Sequence, residues 1–111
     1  MIVVTSSRIA GRRIAETLGL VRGNTIRARH IGKDLQAVFR NIVGGEIDEY
    51  TKMIAEAREQ SLDRMVVEAE RLGADAIVDV RFGTANMMQG AAELLVYGTA
   101  VRTVADDTAA E

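Results

Sequence analysis

The chain has 111 residues, of which 48% are hydrophobic, 27% are charged and only 4% are aromatic, and its formal net charge at pH 7 is −2. This length is typical of one domain, here with an aliphatic core. The lack of cysteine excludes disulfides and thiolate metal sites, and one histidine excludes a histidine-rich metal site within a single chain. No apolar run approaches the roughly 20 residues of a membrane-spanning helix, and the first residues do not resemble a signal peptide, so we expect a cytoplasmic protein.

The first part of the chain predicts β-strands. Residues 2–5 are all β-branched, which favours a strand. The short and broken apolar pattern of residues 12–29 predicts one or two further strands, with Gly23-Asn24 as a turn signal.

A helical period follows. It begins at Asp34, is interrupted by Gly44-Gly45, and continues through a main helix over residues 47–72 that Gly73 ends. Helical spacing gathers one broad apolar side on the main helix: Tyr50, Met53, Ile54, Ala57, Ser61, Leu62, Met65, Val66, Ala69 and Leu72.

Two strands are predicted after the helix, over residues 76–82 and 93–102. The ten residues 83–92 between them predict a long connection. We expect residues 1–104 to form a single α+β domain and residues 105–111 to form an acidic flexible tail.

The order of elements predicts an α+β fold in which an antiparallel sheet packs against one long interrupted helix. One helix covers only one face of a sheet, whereas the near-continuous apolar runs of the last two strands predict burial on both faces. We therefore expect another subunit to cover the second face.

Several stretches of the sequence resemble one protein family. They are Ile31-Gly32-Lys33-Asp34, Ile42-Val43-Gly44-Gly45, Leu72-Gly73-Ala74-Asp75-Ala76-Ile77-Val78 and Gly98-Thr99-Ala100-Val101. In their order and spacing they are similar to the small bacterial and archaeal YbjQ-like proteins, a family of unknown function that carries a heavy-metal-binding label. The resemblance implies an α+β subunit of a ring-shaped homo-oligomer, a pentamer or a pair of pentamers, and raises the possibility of a bound divalent metal ion. It implies no established reaction.

Charge is divided unevenly along the chain. Residues 1–45 hold eight basic and two acidic side chains, whereas residues 46–111 hold six basic and fourteen acidic ones. A basic half is one feature of nucleic-acid binders, but no aromatic stacking residue lies among its first six arginines. The division favours pairing within or between subunits over nucleic-acid binding.

Two charged residues of the main helix fall on its apolar side. Arg58 lies among apolar residues and Glu68 lies near Ala57 and Ser61. Because an unpaired buried charge is costly, we expect each to pair with a strand residue such as Asp75, or to meet a neighbouring subunit or a ligand.

Possible metal ligands are oxygen atoms and a single imidazole. His30 and Asp34 are four residues apart and would lie close together on a helix, so copies of this pair around a symmetry axis provide a candidate metal site. Glu56, Glu59 and Asp63 form an acidic stripe on the main helix that suits hard cations, although a solvated outer face is the commoner role of such a stripe.

These patterns favour a homo-oligomeric protein that binds a small ligand or a metal ion and has no catalytic residue that the sequence identifies. The alternative is a hydrolase or isomerase with a site between subunits that uses His30, Asp34 and Arg58.

Overall fold

The computed structural model describes residues 1–28, 47–88 and 91–106. In these ranges the chain forms four strands and one helix: β1 (Ile2–Val3), β2 (Arg12–Ala28), α1 (Ile47–Arg71), β3 (Ala76–Met88) and β4 (Ala91–Ala105). The predicted main helix is therefore confirmed to within one residue at its end. The predicted helical start at Asp34 and the interruption at Gly44-Gly45 lie outside the described residues.

The strands form one sheet in the order β1-β3-β4-β2. β3 and β2 flank β4 and are both antiparallel to it, whereas β1 pairs with β3 in parallel. The α+β class is confirmed, and the expectation of a purely antiparallel sheet is wrong at one edge. The reason is that β2 and α1 lie between β1 and β3 in the chain, which provides the long crossover that a parallel pair requires.

β2 is a single strand of 17 residues, and the predicted turn at Gly23-Asn24 is wrong. Gly23 pairs with Val96 and Asn24 with Leu95 in the uninterrupted part of the ladder. A Cβ atom on Gly23 would overlap the main-chain oxygen of Ser61 and lie 2.6 Å from the main-chain nitrogen of Met65. Glycine is needed here for close approach of strand and helix, not for a turn.

The predicted long connection over residues 83–92 is also wrong. β3 continues through Gly83 to Met88, and β4 already begins at Ala91. Thr84 pairs with Leu94, and Ala85 with Glu93. Cross-strand pairing outweighs the weak strand preference of glycine and alanine in this segment.

The main core lies between α1 and the sheet. The buried side of α1 follows a row at four-residue spacing, namely Ala57, Ser61, Met65 and Ala69. This row is part of the predicted apolar side, and it packs against apolar residues of three strands: Val21, Ile77, Val80, Val96 and Ala100. A second cluster of Ala76, Val78 and Val101 lies on the opposite face, where Val4 and Ile9 of the N-terminal segment cover it.

Within the described part of the chain, the sheet face opposite α1 is covered only at the end where Val4 and Ile9 pack. Leu20, Ile26 and Tyr97 lie on this open face with exposed fractions of 66%, 51% and 39%. The radius of gyration is 18.2 Å and the principal extents are 59 × 25 × 16 Å. A globular domain of this length has a radius of gyration of about 13 Å, so the subunit is elongated along its long strands.

Candidate ligand-binding groove

The residues predicted to form a site lie partly outside the described ranges. His30 and Asp34 lie outside the described residues. Arg58 is exposed, because the buried row of α1 passes through Ala57, one residue away, while Glu68 is half-buried. Neither pairs with the predicted partner Asp75, which contacts Arg12 instead.

Glu68 instead lines a groove of about 370 Å³ between α1 and β2. β2 contributes three consecutive residues and α1 contributes five residues from its C-terminal half. The lining residues are Arg22, Gly23, Asn24, Asp63, Arg64, Val67, Glu68 and Arg71. The predicted candidates Glu68 and Asp63 therefore line one groove, together with Arg64 and Arg71, which sequence patterns did not single out.

The floor of the groove is an edge of the sheet that no strand of residues 1–28, 47–88 and 91–106 covers. β2 is the last strand in the sheet order, and the Arg64 Nη1 atom donates a hydrogen bond to the main-chain oxygen of Asn24. The main-chain groups of one residue point to the same side of a strand, and this side alternates along it. Since the Asn24 oxygen points away from β4, the residues that present their main-chain N–H and C=O to the free edge are Leu20, Arg22, Asn24 and Ile26.

The groove is rich in charge that residues 1–28, 47–88 and 91–106 do not pair. The ion pairs of Arg12 with Asp75 and of Arg102 with Glu16 lie outside the groove. Arg22 and Arg71 have no ion-pair partner in this part of the chain, and Arg64 bonds to a neutral oxygen. Arg22 alternates with the buried Val21 and Gly23 and pairs with Tyr97, so its side chain lies on the open face of the sheet. The guanidinium groups of Arg64 and Arg71 beside the carboxylates of Asp63 and Glu68 give the groove a zwitterionic lining.

Buried hydroxyl groups hold the two walls of the groove together. The Thr25 and Ser61 side-chain oxygens lie 2.7 Å apart, and Ser61 also donates to the Ala57 oxygen at 2.9 Å and lies 3.2 Å from the Leu94 oxygen. Both side chains are buried. Sequence analysis placed Ser61 on the apolar side of the helix but gave no signal for its partner on β2.

A second polar cluster lies on β4 at the opposite end of the sheet. Asp75 accepts hydrogen bonds from the Thr103 main-chain nitrogen at 2.9 Å and from its hydroxyl at 2.8 Å, and Arg12 lies 3.5 Å away. Desolvation raises the pKa of the Asp75 carboxyl, but the hydrogen bonds from Thr103 and the charge of Arg12 outweigh it and hold the pKa below the ordinary 3.8. This cluster joins the start of β3 to the end of β4, so Asp75 has a structural role.

Comparison with known proteins identifies the family. A family model described as "Putative heavy-metal-binding" matches residues 1–104. The chain belongs to the YbjQ-like family. The resemblance noted from the sequence is thereby confirmed.

Relatives of the YbjQ-like family are found in archaea and bacteria under the name "UPF0145 protein". The relative from Archaeoglobus fulgidus is 58% identical over 102 residues, which cover 92% of this chain and 94% of that protein. Those from Methanosarcina acetivorans and Thermus thermophilus are each 56% identical, with coverage of 92% of this chain and 96% and 90% of theirs. A protein of unknown function from Pediococcus pentosaceus has a similar crystal structure, with a TM-score of 0.57, 20% identity and coverage of 96% and 98% of the two chains.

The heavy-metal-binding description of the YbjQ-like family finds no matching donor set in residues 1–28, 47–88 and 91–106. No three histidine, cysteine, aspartate or glutamate residues in these ranges lie close enough to hold a metal ion together. The acidic stripe of Glu56, Glu59 and Asp63 is exposed on α1. Within the described part of the chain, no helix has the length and hydropathy to cross a bilayer.

Proposed function

We propose that this protein is a homo-oligomeric subunit that binds a small anionic ligand in the groove between α1 and β2. The observation that carries this proposal is the pair of arginines Arg64 and Arg71, which project from α1 into one groove without an ion-pair partner among the described residues. Guanidinium groups recognise carboxylates and phosphates through paired N–H donors.

The two carboxylates in the groove narrow the ligand class. Asp63 and Glu68 would repel a highly charged polyanion such as a nucleic acid, and they accept hydrogen bonds from N–H or O–H groups. The lining therefore suits a ligand that combines an anionic group with hydrogen-bond donors. A nucleic acid remains an unfavourable partner, as the sequence predicts.

Assembly into a homo-oligomer is supported by the open sheet face. Leu20, Ile26 and Tyr97 are large side chains that folding within one chain leaves exposed, and a patch of this kind is typical of an interaction surface. The elongated shape has the same implication, because a small elongated subunit buries less of its own surface. The pentamer or pair of pentamers and the cytoplasmic location, which the resemblance and the composition imply, are part of this proposal.

A divalent metal ion is the second candidate ligand, favoured by the description of the family model. Because the described residues provide no three-ligand set within one chain, we place such an ion at the candidate pair His30 and Asp34 contributed by several subunits. The alternative of a hydrolase or isomerase relies on the same pair together with Arg58.

Native mass spectrometry of untagged protein, purified without chelators, tests the assembly and retained ligands in one measurement. We expect a closed homo-oligomer, and a monomeric mass would contradict the proposal.

Calorimetric titration with inorganic phosphate and with a small dicarboxylate then tests the groove. Arg71→Gln should weaken anion binding by about tenfold, whereas the exposed Arg58→Gln on the same helix should not. Equal binding by both variants would place the anion elsewhere.

A further inference from the structure

The free edge of β2 beside the groove is a site for an added strand. It presents unpaired main-chain groups at alternate residues from Leu20 to Ile26, and only the Asn24 oxygen has a side-chain donor among the described hydrogen bonds. Proteins recognise extended segments at such edges through main-chain hydrogen bonds, with neighbouring side chains supplying specificity.

Geometry restricts what this edge accepts. α1 packs closely over β2, since Gly23 meets the main chain of Ser61 and Met65. If β2 of a second copy paired with this edge with its helix on the same face, the two helices would meet above the junction, whereas a segment without a helix brings no such contact. The edge beside the groove therefore accepts a strand that carries no helix above it.

We propose that residues 107–111 of a second copy bind at this edge as an extended strand, with their acidic side chains against the groove arginines. This inference rests on the proposed anion-binding role of the groove and names its ligand. The segment reads Asp107-Thr108-Ala109-Ala110-Glu111. In an extended strand Asp107, Ala109 and Glu111 point to the same face.

The spacing of Asp107 and Glu111 on this face is close to the spacing of Arg64 and Arg71 on α1. Arg64 and Arg71 lie seven residues and about 10 Å apart along the helix, on the same side, with Val67 between them. Asp107 and Glu111 are about 13 Å apart in an extended strand, with the small Ala109 between them. The long arginine side chains accommodate the difference, and the two acidic groups meet the two arginines while Ala109 faces Val67.

The segment cannot come from the same chain. Ala105 pairs with Arg12, at the start of β2, and the groove begins ten residues further along at Arg22. This distance is about 33 Å, whereas residues 107–111 span at most about 18 Å when fully extended. A contact between different surfaces of two copies is of the head-to-tail kind that closes rings. The segment lies after the residues that the family model matches, 1–104.

The test uses the full chain with Asp107→Asn and Glu111→Gln, so that its own segment does not compete. A fluorescent peptide of residues 105–111, blocked at both ends, is titrated into this protein, and anisotropy is measured. We expect saturable binding that weakens at least about tenfold when Arg64→Gln and Arg71→Gln are added. Arg58→Gln serves as the matched control and should leave binding unchanged. Because Arg64 also contacts the β2 main chain, Arg71→Gln alone is measured as the variant that keeps this contact.

Each outcome decides the proposal. Absence of saturable binding, or binding that does not depend on Arg71, overturns it. If inorganic phosphate still binds in an Arg71-dependent way, the anion groove stands and only its assignment to residues 107–111 fails; if phosphate does not bind either, both fail.

In native mass spectrometry on dilution, the Asp107→Asn, Glu111→Gln protein should dissociate at higher concentration than the wild type. Unchanged dissociation together with peptide binding would assign the edge to a different acidic partner and overturn the role of the second copy.

Discussion

The side-chain oxygens of Thr25 and Ser61 lie 2.7 Å apart in the interface between β2 and α1. Each is buried, and each also lies within hydrogen-bonding distance of the Ala57 main-chain oxygen. In an otherwise aliphatic core, the two hydroxyl groups form hydrogen bonds with each other and with a carbonyl oxygen of the helix. These hydrogen bonds fix the position of α1 along the strand. The groove depends on this position, because its two walls are the neighbouring parts of the same elements.

Removal of one hydroxyl should cost stability without loss of the fold. Ser61→Ala leaves the Thr25 hydroxyl with the Ala57 oxygen alone, and we expect the free energy of unfolding to fall by about 1 kcal/mol. Urea unfolding followed by circular dichroism measures this change. Ser6→Ala, at an exposed position, is the control and should change stability by less than about 0.5 kcal/mol. A loss no larger than that of the control would show that the buried pair does not stabilise the interface.

Two glycines of the sheet should respond in opposite ways to alanine. Gly23→Ala places a methyl group against main-chain atoms of Ser61 and Met65, which cannot move aside as a side chain can, and should destabilise the protein by roughly 3 kcal/mol. Gly83→Ala meets no atom within 4 Å and should be neutral or slightly stabilising. Thermal unfolding of both variants checks the pair. Similar melting temperatures would contradict the close approach of helix and strand at Gly23.

Sequence patterns predicted the elements whose signal is local. The main helix, the α+β class and the strands after the helix follow from apolar period and from Gly73 at the helix end. The turn predicted at Gly23 is wrong because glycine is typical both of turns and of close approaches between elements, and only the position of α1 distinguishes the two. The continuation of β3 from Gly83 to Met88 was not predicted. Its own residues have a weak strand preference, and pairing with β4 stabilises it.

The candidate site was predicted in part, for a similar reason. Helical spacing placed Glu68 on the apolar side of the main helix and Asp63 in its acidic stripe, and both line the groove. Arg22 comes from a strand far away in the chain, so no spacing rule connects it with Arg71. Periodicity also placed Arg58 on the apolar side, although the packed row of α1 is narrower than the apolar side and leaves Arg58 exposed.

Asp75 should make stability depend on pH in the acid range. Its pKa is below 3.8 in the folded state because Thr103 and Arg12 favour the ionised form over the opposing effect of desolvation. The folded state therefore binds this proton less readily than the unfolded state. Ionised Asp75 adds to the free energy of unfolding above its unfolded pKa, and this contribution is lost as pH falls through its pKa in the folded state. Asp75→Asn should flatten the loss of stability below about pH 4 relative to the wild type.

Urea unfolding between neutral pH and the acid range, performed on both proteins, measures this difference. Glu59→Gln, which changes an exposed carboxylate on α1, is the control and should retain the acid dependence of the wild type. An Asp75→Asn protein with the same acid slope as the wild type would show that the Thr103 contacts do not favour ionised Asp75.

Asp79 adopts a backbone conformation that few residues other than glycine tolerate. Its φ is +54°, in the left-handed region, at a register shift between β3 and β4. Asp79 also accepts a hydrogen bond from the Ser7 hydroxyl at 2.9 Å, and its main-chain nitrogen donates to the Ser6 oxygen at 3.0 Å. Aspartate and asparagine adopt this conformation more readily than other non-glycine residues. The side chain therefore both suits the backbone and ties the N-terminal segment to the sheet.

Substitutions at Asp79 should separate these two contributions. Asp79→Asn keeps the tolerance for positive φ and the acceptor for Ser7, so we expect a change below about 0.5 kcal/mol. Asp79→Gly keeps only the backbone tolerance, and Asp79→Val loses both and adds a β-branched side chain in the left-handed region, with an expected cost of about 2 kcal/mol. Urea unfolding ranks the three variants. If the valine variant is as stable as the asparagine variant, the conformation at residue 79 is not the left-handed one, because a β-branched residue would not accept it without cost.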